Sequence, residues 1–239
     1  MVISTVITTR LKEIAPGQVF TTADFDIPHE HQRALVKALN RRVQKGELKK
    51  IAKGKFFKPQ VTVFGEVMPD ISELVKDYLK QGDNIVGYIT GTQAFAKMGL
   101  TTQISTEILI GTNNYRKPRI RNGYSIRFVS QKNKIDEGSI DLLRLLDAIK
   151  MINEIPATTP SEVTLSLILI IKELEKAQRL ELSGLAKAYT PKVRALLGAI
   201  LEYVGDETSA LKSSLNGVTT YNVGITEKTL PTIANWNII

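Results

Sequence analysis

The segment from Pro28 to Pro59 constrains the fold more than any other part of the chain. Its first half has apolar residues at helical spacing, namely Leu35, Leu39 and Val43. Residues at i, i+4 and i+8 share one face of a helix. Gly46 then ends the helical pattern, and Lys53-Gly54 separates two short apolar runs in the manner of a hairpin turn. The segment therefore predicts an amphipathic helix followed by a β-hairpin.

The same segment concentrates the positive charge of the chain. It contains ten Lys or Arg residues and two acidic residues, a balance of +8, which equals the formal net charge of all 239 residues. Residues 1–60 carry +7 and residues 61–239 carry +1. A pI of about 9.5 therefore reflects one basic region. Such a region predicts binding to a polyanion.

The residues before this segment complete a recognisable order of elements. Apolar residues at Ile3, Ile7, Leu11 and Ile14 predict a first helix that stops before Pro16-Gly17. Val19-Phe20 reads as a brief strand, and Thr21 or Thr22 can cap a short second helix. The order helix, strand, helix, helix, strand, strand is that of a winged helix-turn-helix. We assign it to a DNA-binding domain over residues 1–60.

Residues 61–239 predict a second domain, so the fold class is α+β. The sequence predicts a mixed α/β middle and a mainly helical part after about residue 134. A further domain boundary is possible near that residue. Residues 59–68 read as a linker or an edge strand. Asp70 and Glu73 form a capping-box pattern for a helix that Gly82 would end, and Thr159 begins a similar pattern further on.

The winged-helix prediction names the residues that would contact DNA. A recognition helix enters the major groove while basic residues around it meet phosphates. Gln32 and Arg33 are candidates for base contacts, because Gln can pair with adenine and Arg with guanine. The remaining candidates are basic residues of the helix and hairpin: Lys37, Arg41, Arg42, Lys45, Lys49, Lys50, Lys53 and Lys55. The alternative is that this basic face contacts a protein.

Catalysis and metal binding have little support in the sequence. His29 and His31 are the only histidines and there is no cysteine, so no metal site is expected. A Ser-His-Asp triad would need the same two histidines, and a metal-dependent nuclease would draw on Glu47 and Asp70. Asp141 and Asp147 are expected on a helix surface. We therefore expect no enzyme activity and no cofactor.

The absence of cysteine also fits a reducing compartment. No basic segment followed by an apolar run opens the chain. The longest uninterrupted apolar run, Leu167–Ile171, is far shorter than the roughly 20 residues of a membrane-spanning helix. We expect a soluble cytoplasmic protein without membrane contacts.

Several short motifs follow one another in a characteristic order. They are Val19-Phe20 with Phe25, Ala38-Leu39-Asn40-Arg41, Gly46 with Gly54-Lys55-Phe56-Phe57-Lys58-Pro59, Phe64-Gly65, and Met98-Gly99-Leu100-Thr101-Thr102-Gln103. Over roughly residues 1–130 this order resembles the AbiEi-type antitoxin family of type IV toxin–antitoxin systems, in the branch labelled DUF6088-like.

The resemblance implies a function for both domains. In that family the winged helix binds its own promoter, and the remaining domain neutralises a nucleotidyltransferase toxin without requiring a stable complex. Double-stranded DNA would be contacted by Arg33, Lys37, Arg41, Lys53 and Lys55, whereas no residue is matched for neutralisation. The chain would thus be an antitoxin and transcriptional autorepressor. The alternatives are a winged-helix protein-interaction module or a transcriptional regulator unrelated to toxins.

Overall fold

The computed structural model describes residues 3–239, whose contacts cluster into two units. The first unit runs to Asp77 and also takes in Ile120–Gly123. The second unit comprises Tyr78–Arg119 and Tyr124–Ile239. Helices and strands occur in both units, which confirms the α+β class. The contacts continue the first unit beyond the boundary predicted at residue 60.

The first unit alternates short helices and strands. In chain order they are α1 (Ile3–Glu13), β1 (Val19–Thr21), two 3-10 turns (Thr22–Asp24 and His29–His31), α2 (Gln32–Gln44), β2 (Lys49–Ala52), β3 (Lys55–Phe57), β4 (Gln60–Thr62), β5 (Gly65–Val67) and α3 (Ile71–Leu74). The predicted cap at Thr21 is present, since its hydroxyl accepts a hydrogen bond from the Ala23 amide at 3.2 Å. The predicted first helix, third helix and three strands are therefore present in the predicted order, whereas the short second helix is a three-residue 3-10 turn.

A three-stranded antiparallel sheet with the order β1–β3–β2 covers one side of this unit. The Phe20 ring on β1 stacks on the Phe56 ring on β3, with centroids 6.0 Å apart. The rest of the core comes from the buried faces of the helices, chiefly Ile7 and Leu11 of α1 and Leu35 and Leu39 of α2. The apolar side chains on the inward faces of the helices and of the sheet thus pack together in one core.

Two glycines shape the end of α2 and the hairpin after it. Gly46 follows the helix with φ of 76°, and Gly54 forms the turn between β2 and β3 with φ of 72°. Both backbones lie in the left-handed region, where a Cβ atom is strained. The predicted helix end and hairpin turn are confirmed at these positions.

The segment after the hairpin differs from its prediction in two ways. Residues 59–68, expected as a linker or an edge strand, form a separate antiparallel ribbon of β4 and β5. The single helix predicted from Asp70 to Gly82 is instead two short helices, α3 and α4 (Lys76–Leu79). Asp70 does cap α3, but the Glu73 carboxylate accepts a hydrogen bond from the Val19 amide at 2.8 Å instead of closing a capping box. A tertiary contact has therefore replaced a local one.

The second unit combines a small sheet with a helical part. Its elements are β6 (Lys80–Gln81), β7 (Asn84–Ile85), β8 (Gly87–Thr90), α5 (Thr92–Lys97), β9 (Glu107–Thr112), β10 (Arg119–Arg121), β11 (Tyr124–Ser130), α6 (Ile140–Lys150), α7 (Pro160–Glu173), α8 (Lys176–Ala186), α9 (Pro191–Val204), α10 (Ser209–Lys212) and a 3-10 turn (Pro231–Trp236). Strand β9 pairs antiparallel with β8 and parallel with β11. Arg119 belongs to this unit and the rest of β10 to the first.

The helical part packs around α9, whose inward face is almost wholly buried. The capping box predicted at Thr159 is confirmed, because the Thr159 hydroxyl and the Glu162 carboxylate each accept a hydrogen bond from the other residue's amide. The C-terminal segment places the Trp236 ring in this core. Glu202 accepts the hydrogen bond of the Trp236 indole N–H. Helix α8 was not foreseen.

Candidate nucleic-acid interface

Helix α2 presents a row of cations on the face opposite its buried side. Leu35 and Leu39 are fully buried. Arg33, Lys37 and Arg41 recur every four residues and are exposed. Helical spacing puts these three side chains on one face, about one turn apart. The periodicity of the sequence correctly indicated which side of the helix is exposed.

The start of α2 differs from the expectation in one residue. A 3-10 turn at His29–His31 precedes the helix. The Gln32 amide is half-buried and donates a hydrogen bond to the Ile27 carbonyl at 3.0 Å. Gln32 also lines a groove of about 900 Å³ beside α1, together with Thr9 and Phe25. The structure therefore places Gln32 away from the exposed side on which a base contact was expected.

Arg42 connects three parts of the first unit. Its guanidinium donates to the Glu47 carboxylate at 2.8 Å and to the Thr8 hydroxyl at 2.7 Å. These contacts hold the end of α2 to the following turn and to α1. Arg42 is thus engaged within the protein, although the sequence presented it as one more basic residue. Glu47, considered for a nuclease, is its partner.

Two lysines of the hairpin are also engaged in ion pairs. Lys49 pairs with Glu66 of β5. Lys55 pairs with Asp77 at 2.9 Å, and the Arg121 guanidinium contacts the same carboxylate at 2.7 Å. Burial raises the pKa of Asp77, but the hydrogen bonds and positive charges of Arg121 and Lys55 outweigh this and hold the pKa below its ordinary value. Asp77 therefore stays ionised and neutralises part of the local positive charge.

The remaining predicted residues are exposed and make no ion pair within residues 3–239. They are Arg33, Lys37, Arg41, Lys45, Lys50 and Lys53. The ammonium of Lys50 lies 5.5 Å from the centroid of the Phe56 ring, a cation–π contact that leaves the charge accessible. The six side chains occupy the exposed face and end of α2 and the β2–β3 hairpin. Chemically this surface offers fixed positive charge and one early arginine for planar recognition.

The described part of the chain gives less support to a metal site, a nuclease site or a membrane-spanning helix. No group of three or more His, Asp or Glu side chains is arranged there to hold a metal ion. Asp70, considered with Glu47 for a nuclease, accepts the amide hydrogen bond of Ser72 at the start of α3. None of the helices in residues 3–239 combines the length and the apolar character needed to cross a bilayer.

The sequence reasoning missed a buried carboxylate in the second unit. Asp147, expected on the surface of α6, is 3% exposed. It accepts hydrogen bonds from the hydroxyls of Tyr88, Thr90 and Tyr189 at 2.8–2.9 Å. The Gln131 amide donates to both tyrosine oxygens. The surface assignment was therefore wrong, because these donors, 42–59 residues away in sequence, supply what water would supply at a surface.

The β4–β5 ribbon carries a second feature that the sequence reasoning passed over. Its turn residues Val63 and Phe64 are 94% and 99% exposed. The sequence signal was present, since two apolar residues stand where a hairpin turn usually has Asn, Asp or Gly.

Comparison with known proteins supplies the family and the fold. A family model described as "Family of unknown function (DUF6088)" matches residues 6–182, well over half of the chain. No curated protein gives a significant match. The crystal structure of the RV2827C protein from Mycobacterium tuberculosis is similar, with a TM-score of 0.52 and 13% sequence identity, over 100% of this chain and 91% of that chain. At this identity the likeness shows the fold alone.

Proposed function

We propose that this chain, which belongs to the DUF6088 family, is a DNA-binding antitoxin and transcriptional autorepressor that acts in the cytoplasm. In this proposal the first unit is a winged helix-turn-helix, with α2 as the recognition helix and the β2–β3 hairpin as the wing. Its ligand is double-stranded DNA at the promoter of its own operon.

The observation that carries this proposal is the set of six exposed, unpaired cations. An exposed cation with no carboxylate nearby keeps its full attraction for phosphate, and each phosphate contact releases a counterion. Arg33 lies in the first turn of α2, and we assign to it the bidentate pairing with guanine that an arginine can make. Lys37, Arg41, Lys45 and the wing residues Lys50 and Lys53 would meet the backbone.

The other predicted contacts take a different role in this proposal. Gln32 and Arg42 hold α2 in place through Ile27, Glu47 and Thr8. Lys49 and Lys55 are neutralised by carboxylates. We therefore expect their substitution to act through the shape of the first unit and to change the salt dependence of binding less than loss of an unpaired cation does.

Neutralisation of a toxin is the part of the proposal that rests on the resemblance. The toxin would be a nucleotidyltransferase encoded beside this chain. Expression of the neighbouring gene alone should stop growth, and co-expression of this chain should restore it. A neighbouring gene that is harmless when expressed alone would contradict the antitoxin role while leaving DNA binding open.

DNA binding is tested by the salt dependence of the affinity. Fluorescence anisotropy with duplexes that tile the DNA upstream of the reading frame gives Kd at several salt concentrations. Five phosphate contacts predict a slope of log K against log[salt] near −4.5, and Arg33→Ala, Lys37→Ala and Arg41→Ala together should make it shallower by about 2, because Lys37 and Arg41 are the two of these that meet phosphates.

The matched control removes three positive charges from the second unit, at the exposed residues Lys176, Lys187 and Lys228. If the two triple variants bind DNA equally well, the proposed surface is wrong. A protein that stays bound to this chain at high salt after nuclease treatment, with no duplex binding by the wild type, would favour the protein-interaction module.

A further inference from the structure

The β4–β5 ribbon has a tip that plays no part in holding its own turn together. Gln60, Val61 and Thr62 pair with Val67, Glu66 and Gly65, which leaves Val63 and Phe64 as a two-residue turn. The Thr62 hydroxyl closes this turn, because it donates to the Gly65 carbonyl at 3.0 Å and accepts from the Phe64 amide at 3.3 Å. Gly65 supplies the unusual backbone angle, with φ of 107°. The side chains at the tip are therefore free for another purpose.

Those two side chains are apolar and almost fully exposed, at 94% for Val63 and 99% for Phe64. Hairpin turns usually have polar residues such as Asn, Asp and Ser at these positions, and the positive φ of this turn falls on Gly65. A phenylalanine held in water by an ordered turn gains nothing within the fold. Val61 of the same ribbon is also apolar and 78% exposed, and a group of exposed apolar side chains on one ribbon indicates a contact with something outside the chain.

The ribbon is attached to the basic hairpin of the first unit. It follows β3 directly through Lys58 and Pro59. The Glu66 carboxylate of β5 pairs with Lys49 of β2, the strand that also carries Lys50. The apolar tip thus extends from a surface whose free charges are positive.

The size of the tip decides between the surfaces that it could meet. A stable protein dimer buries about 800 Å² on each partner, whereas a phenylalanine and a valine contribute a small part of that. Interfacial membrane anchors use a long amphipathic helix or a lipid chain. One aromatic side chain on a narrow ribbon does match a single base step of a duplex, which apolar wedges such as Phe partly unstack.

We propose that Phe64 is a wedge that inserts at one base step of the DNA duplex bound by the neighbouring cations. This inference rests on the proposed function, and it adds a contact with the base stack to contacts with phosphates and base edges. The wedge favours steps that unstack easily, such as TA or CA/TG. Phe64 would therefore contribute to the choice of site without a hydrogen bond to any base.

The experiment uses the full chain and duplexes with 2-aminopurine at successive positions of the protected segment. Insertion should raise 2-aminopurine fluorescence at one step, and Phe64→Ala should abolish that rise and weaken binding about tenfold. The salt slope should stay unchanged, because no cation is removed. Phe64→Leu, which keeps an apolar wedge, should retain most of the signal. Ile104→Ala, at a residue of the second unit that is 92% exposed, should change nothing.

Each contrary outcome identifies what has failed. Salt-dependent binding without a 2-aminopurine signal, and with full affinity of Phe64→Ala, would overturn the wedge and leave the proposed function standing. No duplex binding by the wild type would overturn both. Phe64-dependent binding to phosphatidylserine vesicles, or a Phe64-dependent dimer in sedimentation, would assign the tip to a membrane or to a second copy and overturn the wedge.

Discussion

The carboxylate of Asp147 lies in the interior of the second unit, where three hydroxyl groups donate to it. Burial raises the pKa of Asp147 because the charged form loses hydration. The hydrogen bonds from Tyr88, Thr90 and Tyr189 favour the charged form but do not offset the burial. Protonation of Asp147 in the folded state therefore begins at a higher pH than in the unfolded chain.

This raised pKa predicts a specific pH dependence of stability. As the pH falls, Asp147 of the folded chain binds its proton at a higher pH than Asp147 of the unfolded chain. The resulting gain in the free energy of unfolding is fully present below the ordinary pKa of 3.8 and is lost as the pH rises through the folded-state pKa. Urea unfolding between pH 3.5 and 7 should show the stability of the wild type, relative to Asp147→Asn, increasing towards acid. Asp141→Asn, on the exposed side of α6, serves as control. A difference that grows with pH would contradict the prediction.

Individual site residues were predictable only where their environment follows from local spacing. Arg33, Lys37 and Arg41 are exposed because helical periodicity separates them from Leu35 and Leu39. Periodicity contains no information about which carboxylate reaches a given lysine. Glu66 lies 17 residues beyond Lys49 in sequence, so its ion pair depends on how the ribbon folds back.

At the scale of elements, α9 and the C-terminal 3-10 turn meet at a glycine. A Cβ atom built on Gly198 would lie 2.2 Å from atoms of the Trp236 ring. No real side chain tolerates such an approach, so the indole can pack against α9 only because residue 198 has no side chain. The aromatic ring and the glycine form one packing unit.

Gly198→Ala should therefore destabilise the protein by about 1–3 kcal/mol through overpacking. The fluorescence of Trp236, the only tryptophan of the chain, should report the disturbance directly. The control is Gly184→Ala in α8, where a Cβ would meet nothing within 4 Å. That change should be neutral or stabilising by up to about 1 kcal/mol, since alanine favours a helix. Equal effects of the two substitutions would rule out the packing argument.

The same contrast explains which elements the sequence reveals. Helix α7 was foreseen because Thr159 and Glu162 form its capping box within three residues of one another. The single helix expected after Asp70 was wrong because Glu73 contacts Val19, 54 residues away. The ordered C-terminal segment packs through the contact between Trp236 and Gly198. These two residues are far apart in sequence, so no local pattern predicts their contact.

At the scale of the whole molecule, the first unit is not continuous in sequence. Ile120–Gly123 belongs to it although the intervening residues belong to the second unit. Arg121 is buried and donates to the Leu74 carbonyl and to the Asp77 carboxylate. The segment Ile120–Gly123 therefore gives the Asp77 carboxylate a second cationic partner besides Lys55.

Arg121→Ala should destabilise the first unit selectively, by about 2–3 kcal/mol, because it leaves a partly buried carboxylate with one partner fewer. Hydrogen exchange measured residue by residue should accelerate in β1–β3 and α2 more than in α6–α9. Arg127→Ala, which removes an exposed ion pair with Glu107, should change neither set. Uniform acceleration across both units would mean that the two unfold as one.

The return of Arg121 to Asp77 also has a consequence for biosynthesis. Asp77 is translated 44 residues before Arg121, which at about 5–20 residues per second corresponds to roughly 2–9 s. During that interval the nascent chain contains the residues of β1–β3 and α2 but lacks one of the charges that balance Asp77. The residues of the basic surface are thus synthesised before the unit that carries them is complete.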